Sequence, residues 1–241
     1  MKRILLVLLL AAAWTPAFAQ EMTYSDCTAM VERDARTAEQ QAAKWQTHGG
    51  GIAAMHCHAL ALFALKRYDE AARVLDVLGA NRDVPDTDRA DLLDQAGAAW
   101  MLAGRANEAV MSYSTALARK PNDLTLLSDR ARARGVLKDW RGADADLSAA
   151  LIQDQNRADL LVLRASARWA MNRKAESATD IVRALEVYPD YPPALLERGK
   201  MKYSIDDITG ARRDWQKAAA TGQGETAAAA RRYLAESKDK R

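Results

Sequence analysis

The chain repeats itself every 34 residues without slippage. Leu93, Leu127, Leu161 and Leu195 stand one period apart, and so do Gly97, Ala131, Ala165 and Gly199. Three further columns keep the register: Ala109, Ala143, Ser177 and Ala211; Tyr113, Leu147, Ile181 and Trp215; Ala116, Ala150, Ala184 and Ala218. Large and small apolar positions alternating on such a period are what two helices need to pack closely and then stack on copies of themselves. Each unit hides its apolar side only against its neighbours, so 241 residues are expected to build a core unit by unit, not around one centre.

Period and pattern resemble the tetratricopeptide repeat. The resemblance implies an all-α, right-handed α-solenoid of helical hairpins, with units at 90–123, 124–157, 158–191 and 192–223. An earlier unit at 52–85 precedes them, because Tyr68-Asp69-Glu70-Ala71-Ala72 matches Ala106-Asn107-Glu108-Ala109-Val110. Ala71 and Ala109 are 38 residues apart, which places an insertion of four in the polar stretch 81–89, expected as an exposed loop. Gly104-Arg105, Lys138-Asp139, Asn172-Arg173 and Asp206-Asp207 read as tight turns within repeats. Asp123 and Asp190 are placed to cap the helices that follow them, and Pro192 and Pro193 fall in a first turn, where a missing donor costs little. Residues 20–51 are expected to form a degenerate N-terminal helical hairpin, and residues 224–241 a capping helix, with Tyr233 and Leu234 over the apolar end, followed by a charged tail. Ser177 in an Ala column, and Trp100 as the surviving aromatic of the first helices, depart from the family pattern.

Residues 1–19 carry Lys2 and Arg3, an apolar run from Ile4 to Ala13, and Ala17-Phe18-Ala19 as a small-x-small site. This pattern predicts a secretory signal cleaved after Ala19, too short in its apolar run for the ~20 residues of a spanning helix. Gln20 follows the cut, where a lipoprotein would have Cys. Cleavage removes two of 35 basic residues and none of 32 acidic ones, so the formal charge falls from +3 to +1. Neither that balance nor the aromatic positions, which sit on the repeat grid, suits nucleic acid.

Two charged columns change together. Arg130, Arg164 and Arg198 occur where an apolar residue is usual, and sixteen residues later stand Asp146, Asp180 and Asp214. Where the Arg is missing so is the Asp, as at Ala96 with Ser112 and His58 with Val74. These read as structural ion pairs joining the two helices of a repeat. Arg134, Arg168 and Lys202 lie four residues beyond those arginines, like-charge neighbours that cost about 0.2 to 0.5 kcal/mol each. They are expected either to pack beside acidic residues or to form a basic strip that holds an acidic partner.

Family resemblance further implies that partners enter a concave groove lined by the first helix of each repeat. In this register that face offers Asp91, Asp94, Ala98 and Met101, then Ser128, Arg132 and Gly135, then Val162, Ser166 and Trp169, then Leu196, Lys200 and Tyr203. The partner-binding candidates are Asp94, Met101, Arg132, Ser166, Trp169, Lys200 and Tyr203, with Trp169 and Tyr203 as aromatic anchors. The Asn and Lys set by which some members clamp a C-terminal carboxylate is missing, so a chaperone-tail receptor is not expected.

Cys27 and Cys57 are the two cysteines, and in an exported chain they predict a disulfide. A single straight helix over 24–46, turning back at Gly49-Gly50-Gly51, would leave Cys27 about 30 Å from the turn and Cys57 about 9 Å from it. Such cysteines could not join. A break near Asp34, giving helices at 22–33 and 36–46, brings them level. His56, Cys57 and His58 are consecutive, so on a helix they point about 100° apart and make a poor metal site. No catalytic set, phosphate loop or cofactor motif stands out. The expectation is a non-catalytic, periplasmic interaction scaffold for a protein or peptide, with a glycan-type envelope ligand as the alternative.

Overall fold

The computed structural model describes residues 22–237. The expected signal segment, residues 1–19, lies outside them. The described residues form thirteen helices and no strand. α1 (Tyr24–Arg33) and α2 (Ala35–Thr47) make the N-terminal hairpin; α3 (Gly51–Ala64) and α4 (Tyr68–Ala80) follow. Four further pairs are α5 (Asp86–Leu102) with α6 (Ala106–Leu117), α7 (Leu124–Val136) with α8 (Trp140–Gln153), α9 (Ala158–Ala170) with α10 (Lys174–Val187), and α11 (Pro192–Ser204) with α12 (Ile208–Thr221). α13 (Gly224–Glu236) closes the series. Each helix packs on the next, and the first helices of adjacent repeats α5, α7, α9 and α11 also touch in turn.

Two columns sixteen residues apart explain the hairpin packing. Tyr113 and Trp215, fully buried, face Gly97 and Gly199, whereas Leu147 and Ile181 occupy the same places opposite Ala131 and Ala165. A Cβ on Gly97 would lie 2.5 Å from Tyr113 Cε1, and one on Gly199 would strike the Trp215 indole. The small column therefore shrinks to glycine wherever its partner is aromatic, keeping interior volume constant. Ser177, the exception in its Ala column, is fully buried and donates its hydroxyl to the Ala165 carbonyl at 2.6 Å.

The turn inside each repeat places one residue in the left-handed region: Lys66, Gly104, Lys138, Asn172 and Asp206, with φ from 60° to 74°. Only Gly104 takes that conformation without a side-chain penalty. Asp123, Asp139 and Asp207 cap helices by accepting from the amides of Leu126, Gly142 and Gly210. Asp190 does not cap as expected. α11 begins one residue later, with Tyr191 at the boundary and prolines in its first turn, and Asp190 instead pairs with Lys217.

The four-residue insertion is exposed, as expected, but it is helix and not loop. α5 has 17 residues where α7, α9 and α11 each have 13, so the insertion adds one helical turn. Val84 in the linker before α5 is only 6% exposed, its side chain packed among Leu75, Leu78 and Leu92. At the other end of the chain, α13 lays Tyr233 against Trp215, ring centroids 5.1 Å apart, and buries Ala227 and Ala230.

The N-terminal hairpin breaks at Asp34 without glycine or proline. Asp34 terminates α1 and caps α2, its carboxylate accepting from the Arg36 and Thr37 amides at 3.1 Å each and from the Thr37 hydroxyl at 2.7 Å. The break turns α1 back so that Cys27 meets Cys57 in a disulfide with Cα atoms 6.2 Å apart, both residues fully buried.

We predict that Gly97→Ala lowers stability by about 2 kcal/mol, the ordinary cost of overfilling a packed site. Adding Tyr113→Leu, the combination present at Ala131 and Leu147, should recover most of that loss in chemical denaturation.

Candidate functional site

Three buried carboxylates sit between the helices of the last three repeats. Asp146 accepts a two-pronged contact from Arg130 at 2.9 and 2.7 Å, and a third bond from Arg134 at 2.8 Å. Asp180 receives Arg164 at 3.0 and 2.7 Å and Arg168 at 2.9 Å. Asp214 receives Arg198 at 2.8 and 2.7 Å and the Lys202 ammonium at 2.9 Å. Burial raises the Asp214 pKa, but the bonds from Arg198 and Lys202 outweigh it and hold the carboxyl below its usual value. By linkage this contribution is present above the ordinary carboxylate pKa and is lost as pH falls through the depressed one.

The candidate basic strip is therefore no free ridge. Arg134, Arg168 and Lys202 stack beside the first cation of each repeat because one carboxylate serves both. Arg168 also donates to Asp144 of the preceding repeat at 2.8 Å, and Arg173 reaches the same carboxylate at 2.5 Å.

A second link joins adjacent repeats through the same arginines. Arg130 donates to the hydroxyl of Ser114, sixteen residues earlier, at 3.1 Å, and Arg164 does the same to Ser148 at 3.2 Å. Each arginine thus ties its own repeat to the one before. The serines lie one period apart, so the signal is present, but half-buried hydroxyls carry no obvious partner in sequence. Val182 takes that place beside Arg198, and the Arg198 side chain is 37% exposed against 17% for Arg130 and Arg164. At the boundary that lacks arginine, Asp76 accepts from Ser112 at 2.7 Å and from the Trp100 indole at 2.7 Å.

Along the groove register, Ser128 and Val162 are buried, at 3% and 8% exposure. Closed off from solvent, they offer nothing to a partner. Met101 is half-buried against the core, and the Ser166 hydroxyl donates to its own helix at Val162 O, 3.1 Å away. Arg132 remains exposed and pairs with Asp129 at 2.5 Å.

Asp94 stands apart. Half-buried on α5, it has no hydrogen bond or ion pair among the described residues, while neighbouring Asp91 has Lys120 at 2.5 Å. Burial, followed by the carboxylates of Asp129, Asp123 and Asp91, pushes its pKa up to about 6. The charged form is unfavourable in the fold, so stability falls as pH rises from the ordinary carboxylate value toward 6.

Trp169, Lys200 and Tyr203, from successive first helices, converge with Ser204, Trp215, Tyr233 and Glu236 on a cavity of about 300 Å³. Tyr203 leans on Trp215 with ring centroids 5.5 Å apart, and Lys174 covers Trp169 at 5.4 Å. Lys200 is tied to Glu197 at 2.7 Å. α13 thus supplies a wall of the site as well as a cap for the core. Of the three consecutive residues His56, Cys57 and His58, Cys57 is in the disulfide, His56 bonds to Tyr24 and Gln95, and His58 lies 3.9 Å from Glu39. Among the described residues no group of three or more His, Cys, Asp or Glu side chains is placed to hold a metal ion, and no helix is long and apolar enough to cross a membrane.

No family model matches the chain. Over 120 residues, half of this chain, it is 26% identical to RNA polymerase II-associated protein 3 of Rattus norvegicus, and likewise 26% identical to the human protein. The chain spans only 18% of those relatives' length. Among solved structures, MamA from Desulfovibrio magneticus aligns over 79% of this chain and 98% of its own, with TM-score 0.62 and 17% identity. A tetratricopeptide repeat protein from Parabacteroides merdae aligns over 91% and 86%, with TM-score 0.60 and 14% identity. The fold is that of the tetratricopeptide-repeat proteins: an all-α solenoid of stacked helical hairpins.

Two outcomes follow. Asp180→Ala removes the carboxylate that Arg164 and Arg168 share, leaving half-buried Arg164 with only the Ser148 hydroxyl, and should cost about 3 kcal/mol. Adding Arg164→Ala should recover part of that, and a strictly additive cycle would contradict the pairing. Asp94→Asn should stabilise the chain at pH 7.5 by about 1 kcal/mol while changing little at pH 4, read from urea midpoints at the two pH values.

Proposed function

We propose that this protein is an exported, non-catalytic scaffold of the bacterial cell envelope that holds a peptide or protein segment along the face formed by α5, α7, α9 and α11. The observation that carries this reading is the cavity at its C-terminal end, where Trp169, Lys200 and Tyr203 from adjacent repeats meet Tyr233 and Glu236 of α13. Aromatic anchors in a partly enclosed hollow, ringed by a few charges, are the residue types that dominate interface energies. Supporting it, Asp94 carries an unfavourable charge on the same series of helices, and a residue kept at a cost to stability is a candidate for binding.

Export rests on residues 1–19 and agrees with the buried disulfide, which persists in oxidising compartments. The periplasmic reading predicts a mature N-terminus at Gln20, which N-terminal sequencing of the envelope fraction reads directly. A glycan is the second reading, because the same cavity joins aromatic rings to Ser204, Lys200 and Glu236.

Crosslinking and pull-down from native envelopes tests the groove. A protein recovered by the wild type and lost with Trp169→Ala plus Lys200→Ala, at unchanged helical content, supports the peptide reading. Loss of binding to envelope glycans instead, with protein recovery unchanged, would favour the second. Recovery of the same partners by wild type and variant contradicts both.

A further inference from the structure

The opposite end of the same face holds a second cavity, of about 520 Å³, between α1, α3 and α5. Its floor is apolar: Val84 and Leu92 are buried at 6% and 7% exposure. Its rim carries two of the chain's exposed large apolar residues, Ile52 at 37% and Tyr24 at 40%. Tyr24 and His56 stack with centroids 5.7 Å apart and an interplanar angle of 11°, making a flat wall. The polar edges of that wall satisfy one another. The Tyr24 hydroxyl is 2.8 Å from His56 Nδ1, and His56 Nε2 is 3.1 Å from Gln95 Oε1. One neutral tautomer meets both contacts, with Tyr24 donating to Nδ1 and Nε2–H donating to Gln95. The wall therefore asks for no polar ligand group and presents ring surface.

The charged side chains that line the cavity are both acidic, and Lys120 reaches one of them from outside the lining. Asp88 and Asp91 line it, with no lysine or arginine among the lining residues. Asp91 remains 64% exposed although Lys120 touches it, and Asp94 lies three residues further along α5 toward the rest of the groove. A partner that leaves the cavity along α5 meets carboxylates in succession.

We propose that this cavity docks one large apolar side chain of a basic peptide segment, whose flanking lysines or arginines are held by Asp88 and Asp91. The site deepens the groove reading and rests on it. It also gives the N-terminal hairpin a purpose beyond capping. Cys27 lies one helical turn past Tyr24 on α1, and Cys57 adjoins His56 on α3, so the disulfide pins the two rings that form the wall. Cutting that tether frees α1, and with it Tyr24, from α3.

The test is fluorescence anisotropy on the oxidised, signal-free chain with three labelled decapeptides: a leucine flanked by lysines, a serine flanked by lysines, and a leucine flanked by glutamates. The first should bind at least about ten-fold more tightly than either other. Ile52→Asp, at an exposed position, should weaken it at least ten-fold with no change in melting temperature. Asp88→Asn with Asp91→Asn should do the same and flatten the salt dependence. Cys27→Ser with Cys57→Ser should weaken binding even at temperatures where the repeats stay helical. Equal binding of the lysine and glutamate peptides, or no effect of Ile52→Asp, would overturn the pocket. If that happens while Trp169→Ala plus Lys200→Ala still loses the envelope partner, the scaffold reading stands and only this site falls.

Discussion

Pairs of residues sixteen apart meet across each of the four aligned hairpins, α5–α6 to α11–α12, and most of what the structure does depends on that meeting. One such pair sets volume: glycine against tyrosine or tryptophan, alanine against leucine or isoleucine. Another sets charge: Arg130 with Asp146, Arg164 with Asp180, Arg198 with Asp214. A single unit has no other interior, so it cannot bury its apolar face or justify a buried carboxylate without both helices and the neighbours on each side. The serine bonds from Arg130 and Arg164 to the preceding repeat extend the same cation across the seam. These arginines hold the spacing between modules as much as the geometry within one.

Concentrating charge inside the repeats shapes the face left for partners. Because Arg134, Arg168 and Lys202 pair with the interior carboxylates, they contribute little field to the groove. The α5 end then keeps Asp94 without a direct ion pair among the described residues, and the α11 end keeps a hollow of aromatic rings closed by α13. A face that is acidic at one end and aromatic at the other gives an extended ligand a direction.

The period made the helical pairs legible, because the same columns had to repeat wherever the same surfaces met. Even the break at Asp34 could be found by requiring that Cys27 reach Cys57, although its cause, a carboxylate capping two amides and a hydroxyl, was not visible. Features that depend on three bodies were harder. One aspartate shared by two cations looks in sequence like a pair plus a spare charge, which is why the sequence leaves Arg134, Arg168 and Lys202 open between packing beside acidic residues, as they do, and forming a basic strip. The spacing locates the insertion before Leu93, but its polar composition suggests a loop where helix α5 starts a turn earlier. Ser128 and Val162 fall on the counted face because periodicity gives direction along one helix and says nothing of what its neighbours bury. The cavity beside Tyr24 and His56 joins residues from the one hairpin that does not keep the period, so no column pointed to it.

The most direct test of the account is the removal of one whole period. Deleting residues 158–191 joins Arg157 to Pro192 and keeps every column in register, so Leu195 takes the place of Leu161 over Leu147 and its neighbours. Followed by circular dichroism during thermal unfolding, that shortened chain should remain helical and melt cooperatively at a somewhat lower temperature, whereas a deletion four residues shorter at the same junction should lose its cooperative transition. Identical melting of the two deletions, or collapse of the in-register one, would contradict the claim that stacking between successive modules holds this fold together.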